Sequence, residues 1–213
     1  TCALPIYSPY VKNYPELYFL NYVLFHRTND EEIKPCRTYF WEKIKDKVQG
    51  KAMVEAALEI NHWCAGEVMY QGTDMRTGSA LEIYRSGVGR CGEEAVFVVN
   101  VMRSAGIPAR PVYVPRWSHC DDNHAWVEVW CDGDWHYLGA CEPEAVLDKG
   151  WFTNAASRAM MIGSRWYDRA MPDEKVIGKD GMNRIINLLG KYAKTRWITI
   201  TVEDLDGTPA AGA

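Results

Sequence analysis

Apolar residues recur along this chain at two different spacings, and the change between them divides it. In the N-terminal half the spacing is helical. Phe40, Trp41, Ile44 and Val48 predict a helix over 38–48 that Gly50 ends. Residues 52–65 repeat the spacing, with Val54, Leu58 and Trp63 expected inward. The stretch 14–25 is apolar on most sides, with Pro15 suited to a first turn, and reads as a packed helix. Residues 79–86 read as a short helix with Ser79 and Glu82 in capping-box positions. An apolar run from Ala95 to Met102 ends at Ala105-Gly106-Ile107-Pro108, a stop with Gly at the cap and Pro beyond.

From residue 109 the spacing becomes alternation. Residues 109–114 read as a strand. On the next one, His124, Trp126, Glu128 and Trp130 share one face, and Ala125, Val127 and Val129 the other. Cys131-Asp132-Gly133-Asp134 supplies a hairpin turn, and 135–138 is the return strand. An antiparallel sheet over 109–139 under a helical layer is the expectation, an α+β fold. Beyond Trp151 the pattern weakens. Residues 157–162 fit helix or strand, 173–181 an exposed loop, and 185–189 a short apolar element. Ile198, Ile200 and Val202 alternate with polar residues as a strand does, and Asp206-Gly207 is a turn.

Composition narrows the functions. The chain has 213 residues, 47% hydrophobic and 24% charged, ordinary for a globular protein. A net charge of −4 gives no reason to expect nucleic acid or an anionic membrane as partner. No apolar run approaches the roughly 20 residues needed to span a bilayer. The opening Thr1-Cys2-Ala3-Leu4-Pro5-Ile6 lacks the basic start of a signal peptide and reads as a truncation point or scar. Seven cysteines form no metal-type pairs, so no metal or other cofactor is expected. Their odd number leaves a free thiol; Cys36 with Cys64 could pair, which spacing leaves open.

The candidate chemistry lies in Gly89-Arg90-Cys91-Gly92-Glu93-Glu94-Ala95. Cys91 stands at a helix start, where unpaired N–H groups and the dipole favour a thiolate. Its thiol is therefore expected to titrate below an ordinary one. The flanking glycines allow a tight backbone. His124, at the start of its strand, can project over a neighbouring helix end, and Cys plus His is the minimum for an activated thiol. Asp121 and Asp122 read as solvated loop acids.

Four ordered stretches together resemble the transglutaminase-like superfamily. They are Gly89-Arg90-Cys91-Gly92-Glu93, Arg103-Ser104-Ala105-Gly106-Ile107-Pro108-Ala109-Arg110, Asn123-His124-Ala125-Trp126-Val127-Glu128 and Trp135-His136-Tyr137-Leu138-Gly139-Ala140-Cys141-Glu142. The resemblance covers about residues 55–150. It implies a papain-like α+β core with a Cys–His–Asp triad, the helical part and catalytic helix packed on an antiparallel sheet. The family's Asp position falls on Gly139 here, and the tail Ala140-Cys141-Glu142 is similar to the peptide:N-glycanase branch. Glu142 is the first candidate to hold the far nitrogen of His124; Asn123 or a backbone carbonyl could also orient the ring. The family places an oxyanion donor upstream of the Cys, which makes Tyr70 and Gln71 candidates. With Trp117 and Trp126 they form the expected substrate-binding set.

What this implies is thiol-dependent hydrolysis or acyl transfer at an amide: peptidase, deamidase or cross-linking enzyme. The substrate would be a protein, peptide or glycopeptide. Two alternatives stand beside it, an inert transglutaminase-like binding module and an amidase acting on glycopeptide Asn. The expected layout is a helical segment 1–50, a core with extension 51–195, and from 196 the opening of a β-sandwich module. That opening resembles immunoglobulin-like modules of bacterial surface proteins, which implies a location outside the cytoplasm for the full-length protein.

Overall fold

A computed structural model describes residues 8–74, 76–166, 171, 174–181, 183–196, 198, 200–203 and 207–208. A 3₁₀ turn, Pro9–Asn13, precedes helix α1 (Glu16–Phe19), which runs on into a π turn over Leu20–Leu24. Helices α2 (Arg37–Val48) and α3 (Met53–Glu67) follow, then strand β1 (Met69–Tyr70), α4 (Ala80–Ser86), β2 (Val88–Gly89) and α5 (Cys91–Ser104). Next come β3 (Ala109–Val114), β4 (His124–Cys131), β5 (Asp134–Leu138), the single turn α6 (Thr153–Ala156), β6 (Gly163–Trp166), β7 (Val176–Asp180), β8 (Asn183–Asn187) and α7 (Leu189–Tyr192). The large sheet has the order β5-β4-β3-β6-β8-β7, and every pairing in it is antiparallel. The α+β fold and the antiparallel sheet stand as the sequence predicts.

Two cores sit on opposite faces of that sheet. Apart from Glu93, Glu94, Asn100, Arg103 and Ser104, themselves buried, helix α5 is apolar from Gly92 on, and Ala95 through Val99 have no exposed surface. That composition suits a helix enclosed on every side. Phe40 and Ile44 of α2, Ile60 and Cys64 of α3, and Val127 and Val129 of β4 enclose it in the larger core. The second core uses the other face of β4. Trp126 packs there with Phe152, Ile162 and Ile186. The alternation along β4 therefore has a cause at both faces, helices on one side and a small aromatic layer on the other.

The local signals work as chemistry requires. Ser79 Oγ accepts from the Glu82 N–H, and a Glu82 oxygen accepts from the Ser79 N–H at 2.9 Å. Gly106, at φ 78°, ends α5. The β4–β5 hairpin closes through Asp132 and Gly133 at φ 52° and 98°, the two positive values a primed turn demands.

Some expectations fail. In α3 the buried face is Met53, Ala56, Ala57, Ile60, Asn61 and Cys64, and Val54, Leu58 and Trp63 lie on its partly exposed flank. Small residues take the inner face because α3 packs closely on α5. The loop expected over 173–181 holds β7, an edge strand; Asp173 lies outside the described residues. Residues 157–162 form neither helix nor strand. Cys36 and Cys64 are free thiols, both buried. Of the strand expected at 197–202, residues 197 and 199 lie outside the described set; Ile198, Ile200 and Val202 are exposed and, among described residues, belong to no strand. Asp206 is also outside it. No helix among the described residues is long and apolar enough to cross a membrane.

One ion pair is enclosed behind the sheet. Arg110 of β3 and Glu128 of β4 are register partners, bonded at 2.7 Å with 1% and 2% of their side chains exposed. Glu174 also pairs with Arg110, and the guanidinium lies 4.0 Å from the Trp135 ring centroid. Tyr192 donates to Glu128 at 2.6 Å and accepts from the Trp126 indole at 2.9 Å. Removing one partner leaves the other charged in a dry site. Arg110→Ala is expected to cost about 3–5 kcal/mol in a denaturant titration. The double variant Arg110→Met with Glu128→Leu is expected to lose distinctly less.

Candidate active site

Cys91 is the first residue of α5, with Arg90 at the N-cap. The short parallel pair β1–β2 delivers the chain to this point, and Gln71 N–H donates to Gly89 O at 2.9 Å. Glu93 fixes the loop in front of the cysteine. Its carboxylate accepts from Gly78 N–H at 3.0 Å, from Arg90 N–H at 3.2 Å and from the Thr73 hydroxyl. The Cys91 sulfur is half-buried and accepts from the backbone N–H groups of Ala125 and Gly92. So the thiol lies against the second residue of β4, beside His124.

His124 opens β4 and is 6% exposed. Phe152, Trp117 and Trp151 surround its ring, at centroid distances of 5.1, 6.3 and 4.7 Å. Cys91 and His124 line one cleft of about 360 Å³ at the rim of the sheet. Its walls also include Arg90, Tyr113, Asn123 and Arg165. The Nε2 atom of His124 is buried, has no hydrogen-bond partner, and lies 3.8 Å from Glu142 Oε2, itself buried and unbonded. That gap exceeds a hydrogen bond but is short for a charge.

The place of Glu142 explains Gly139. The chain reverses over 139–142, with Glu142 N–H donating to Gly139 O at 3.1 Å and Cys141 at φ 57°. A Cβ added at Gly139 would collide with Glu142 Oε2 and lie 2.8 Å from the Glu142 Cβ. The acid therefore fills the volume that a side chain at 139 would need. Asn61 of α3 clamps the turn from below, donating to Gly139 O at 2.9 Å and accepting from Cys141 N–H at 3.1 Å. Trp151 holds it from above, its indole donating to Glu142 Oε1 at 2.9 Å while its ring covers His124.

Burial dominates the electrostatics. It raises the Cys91 thiol above its ordinary value, opposed by the two backbone N–H groups, so the expected lowering is reversed. The helix start is present, but the thiol is too enclosed to profit from it. Burial lowers His124 to about 4 against a small push from Asp122, which keeps the imidazole neutral. Burial raises Glu142 as well, opposed by the Trp151 hydrogen bond. Glu94, one turn along α5 and 3% exposed, is raised to about 8 by burial, with the Glu142 carboxylate adding to the effect.

The remaining candidates are sorted by exposure. Trp126 is fully buried, bonded to Tyr192 and stacked on Phe152, so it supports the floor under His124 and cannot meet substrate. Trp117 is 5% exposed and parallel to Trp126, and belongs to the same floor. Both face inward because the second core claims that side of β4. Tyr70 and Gln71 are exposed beside the Gly89 backbone and do not line the cleft. Sequence reading missed Trp151, Asn61, Glu94 and Arg165. Asn61 had a signal, a polar residue on the helix face that carries Ile60 and Cys64. The others are distant in sequence from the groups they meet.

Residues 42–140, just under half of the chain, match the family model described as the transglutaminase-like superfamily. No curated protein matches the sequence. Among solved structures, the chain is similar to a proposed cysteine protease from Cytophaga hutchinsonii at 18% identity and TM-score 0.42, covering 71% of this chain and 57% of that one. It is similar to LapG of Legionella pneumophila at 17% and 0.42, covering 52% and 66%. A proposed protease from Parabacteroides distasonis aligns at 17% and 0.45, covering 60% and 25%. The chain thus spans less than two thirds of each of these proteins.

Glu94 generates a pH prediction. Unfolded, its carboxyl ionises near 4.5; folded, near 8. Between those values the folded chain binds the extra proton, so this group's effect on stability worsens as pH rises. Glu94→Gln is expected to melt higher than the parent at pH 8, with the difference closing below pH 4.5. A thermal melt series across that range checks the sign.

Proposed function

We propose that the protein is a thiol-dependent enzyme that hydrolyses an amide or transfers its acyl group, with Cys91 as nucleophile and His124 as base. The observation that carries this reading is Glu142 in the volume left by Gly139, 3.8 Å from the far nitrogen of a His that shares a cleft with a helix-start cysteine. His124 takes the Cys91 proton as the sulfur attacks the carbonyl carbon. The oxyanion is received by the backbone N–H of Cys91, free at the first turn of α5. The tetrahedral species collapses with loss of the amine, which leaves with the proton from His124. Water, or a second amine, then releases the acyl group from the thioester.

A neutral thiol and a neutral imidazole suit this order, in which the proton moves with the attack. Nε2 and Glu142 Oε2 stand 3.8 Å apart in the resting site, and as His124 gains a proton Glu142 is placed to close on Nε2–H and favour the imidazolium. A peptide or protein chain is the substrate class that fits an open cleft of this size. The missing side chain at 139 favours an inert domain, and the carboxylate of Glu142 in that volume supports the active reading against it.

Cys91→Ala is expected to abolish turnover of a broad panel of amide and glutaminyl substrates. Glu142→Gln is expected to lower turnover by roughly two to four orders of magnitude with the fold intact. Gly139→Asp with Glu142→Ala, which returns an acid from the other backbone position, is expected to recover part of the loss. A wild-type protein that neither hydrolyses nor cross-links any member of the panel, and whose Cys91 alkylates no faster than a buried thiol such as Cys64, would leave the binding module as the better account.

A further inference from the structure

The cleft beside Cys91 is unlike the rest of the surface in charge. The chain carries −4 overall, yet the cleft lining holds two arginines and, among the described residues, no Asp or Glu. The two arginines differ in their commitments. Arg90 is spent on the loop before the cysteine, donating to Asp74 O, Arg76 O and the Thr77 hydroxyl. Arg165 is not spent in this way. It stands on β6, two residues beyond Gly163, which is the register partner of Tyr113. Strand parity puts Arg165 and Gly163 on one face of the sheet.

Its guanidinium carbon lies 5.8 Å from the Tyr113 ring centroid, and one nitrogen donates to Asn29 Oδ1 at 2.7 Å. A neutral amide and a ring hold the group in place without neutralising it. No carboxylate pairs with it among the described residues. Asp122 acts on His124, and the Glu31 carboxylate is taken up by the backbone N–H groups of Thr28 and Asn29. The cleft is therefore polarised, with a cation on the β6 side of the nucleophile.

Resting on the thiol-enzyme reading, we propose that Arg165 is a specificity determinant that takes a carboxylate of the substrate, so that the cleft selects chains with an acidic group beside the reacting carbonyl. A planar guanidinium held by an amide and an aromatic ring is preorganised for a two-point hydrogen bond to such a group. The carboxylate can come from an Asp or Glu side chain or from a chain end, and the two sources are separable.

The test measures labelling of Cys91 by chloroacetyl tripeptides, read by intact mass, with each rate divided by that of iodoacetamide on the same protein. Five probes are used: a central Glu, Gln, Lys or Ala with the C-terminus amidated, and the all-Ala peptide with a free carboxylate. The Glu probe is expected to exceed the Lys probe by about tenfold, the value of one charge-assisted hydrogen bond of roughly 1.4 kcal/mol. The excess should shrink with added salt. Arg165→Gln is expected to bring the ratio near one, and Arg165→Lys, which keeps the charge and loses the two-point bond, to keep only part of it. Preference for the free-carboxylate probe alone would support the same site reading a chain end. Equal normalised rates for Glu and Lys in the parent protein, with no excess for the free-carboxylate probe either, would overturn the proposal, as would a preference that survives Arg165→Gln. Should iodoacetamide fail to label Cys91, the thiol reading falls by itself. Binding of the unreactive tripeptides to the intact protein then decides on Arg165 by the same order of affinities.

Discussion

The structure depends on the enclosure of α5. A helix whose apolar middle is buried on every side has to be covered all round, and α2, α3 and the inner face of β3 and β4 stand in positions that cover it. The enclosure fixes the axis of α5, and with it the point where the helix begins. Cys91 is at that point, against the backbone of Ala125. The Cys91 thiol is thus positioned by apolar contacts well away from it. The second core does the corresponding work for His124, whose ring stands on Trp117 and Phe152 and under Trp151.

The same dryness sets the character of the site. Cys91, His124 and Glu142 are each pushed toward their uncharged forms by burial. Glu94 adds a fourth titrating group held neutral over much of the pH range. Charge in such a place is created only where it is met by an opposite charge or by aimed N–H groups. The indole of Trp151 on one Glu142 oxygen and the N–H groups of Ala125 and Gly92 on the sulfur are those provisions.

Much of this was readable from the sequence where a local rule governs. The end of α5 follows from Gly106 at positive φ and its start falls at Cys91, just after the Arg90 N-cap; the β4–β5 hairpin follows from Asp132-Gly133. His124 was singled out by its motif, and Glu142 because it follows the return strand by a few residues with a side chain long enough to offset a displaced backbone; the structure sets the two 3.8 Å apart. Failures came where contact is between distant segments. The inner face of α3 could not be told from its flank, because both carry apolar residues and only the closeness of α5 selects the small ones. Trp117 and Trp126 looked like ligand-binding aromatics, since nothing local reveals a second core behind the sheet. The thiol pKa was judged from the helix start alone, which omits the surroundings that bury it.

Gly139 bears on how a site of this kind is counted. An inventory taken position by position registers a glycine where an acid belongs and scores an empty place. An inventory taken by occupied volume registers a carboxylate there, reaching in from three residues further along a reversed turn. Backbone address and chemical address are separable wherever a tight turn lets one residue lend its side chain to another's space, and the glycine is the vacancy that makes the loan feasible.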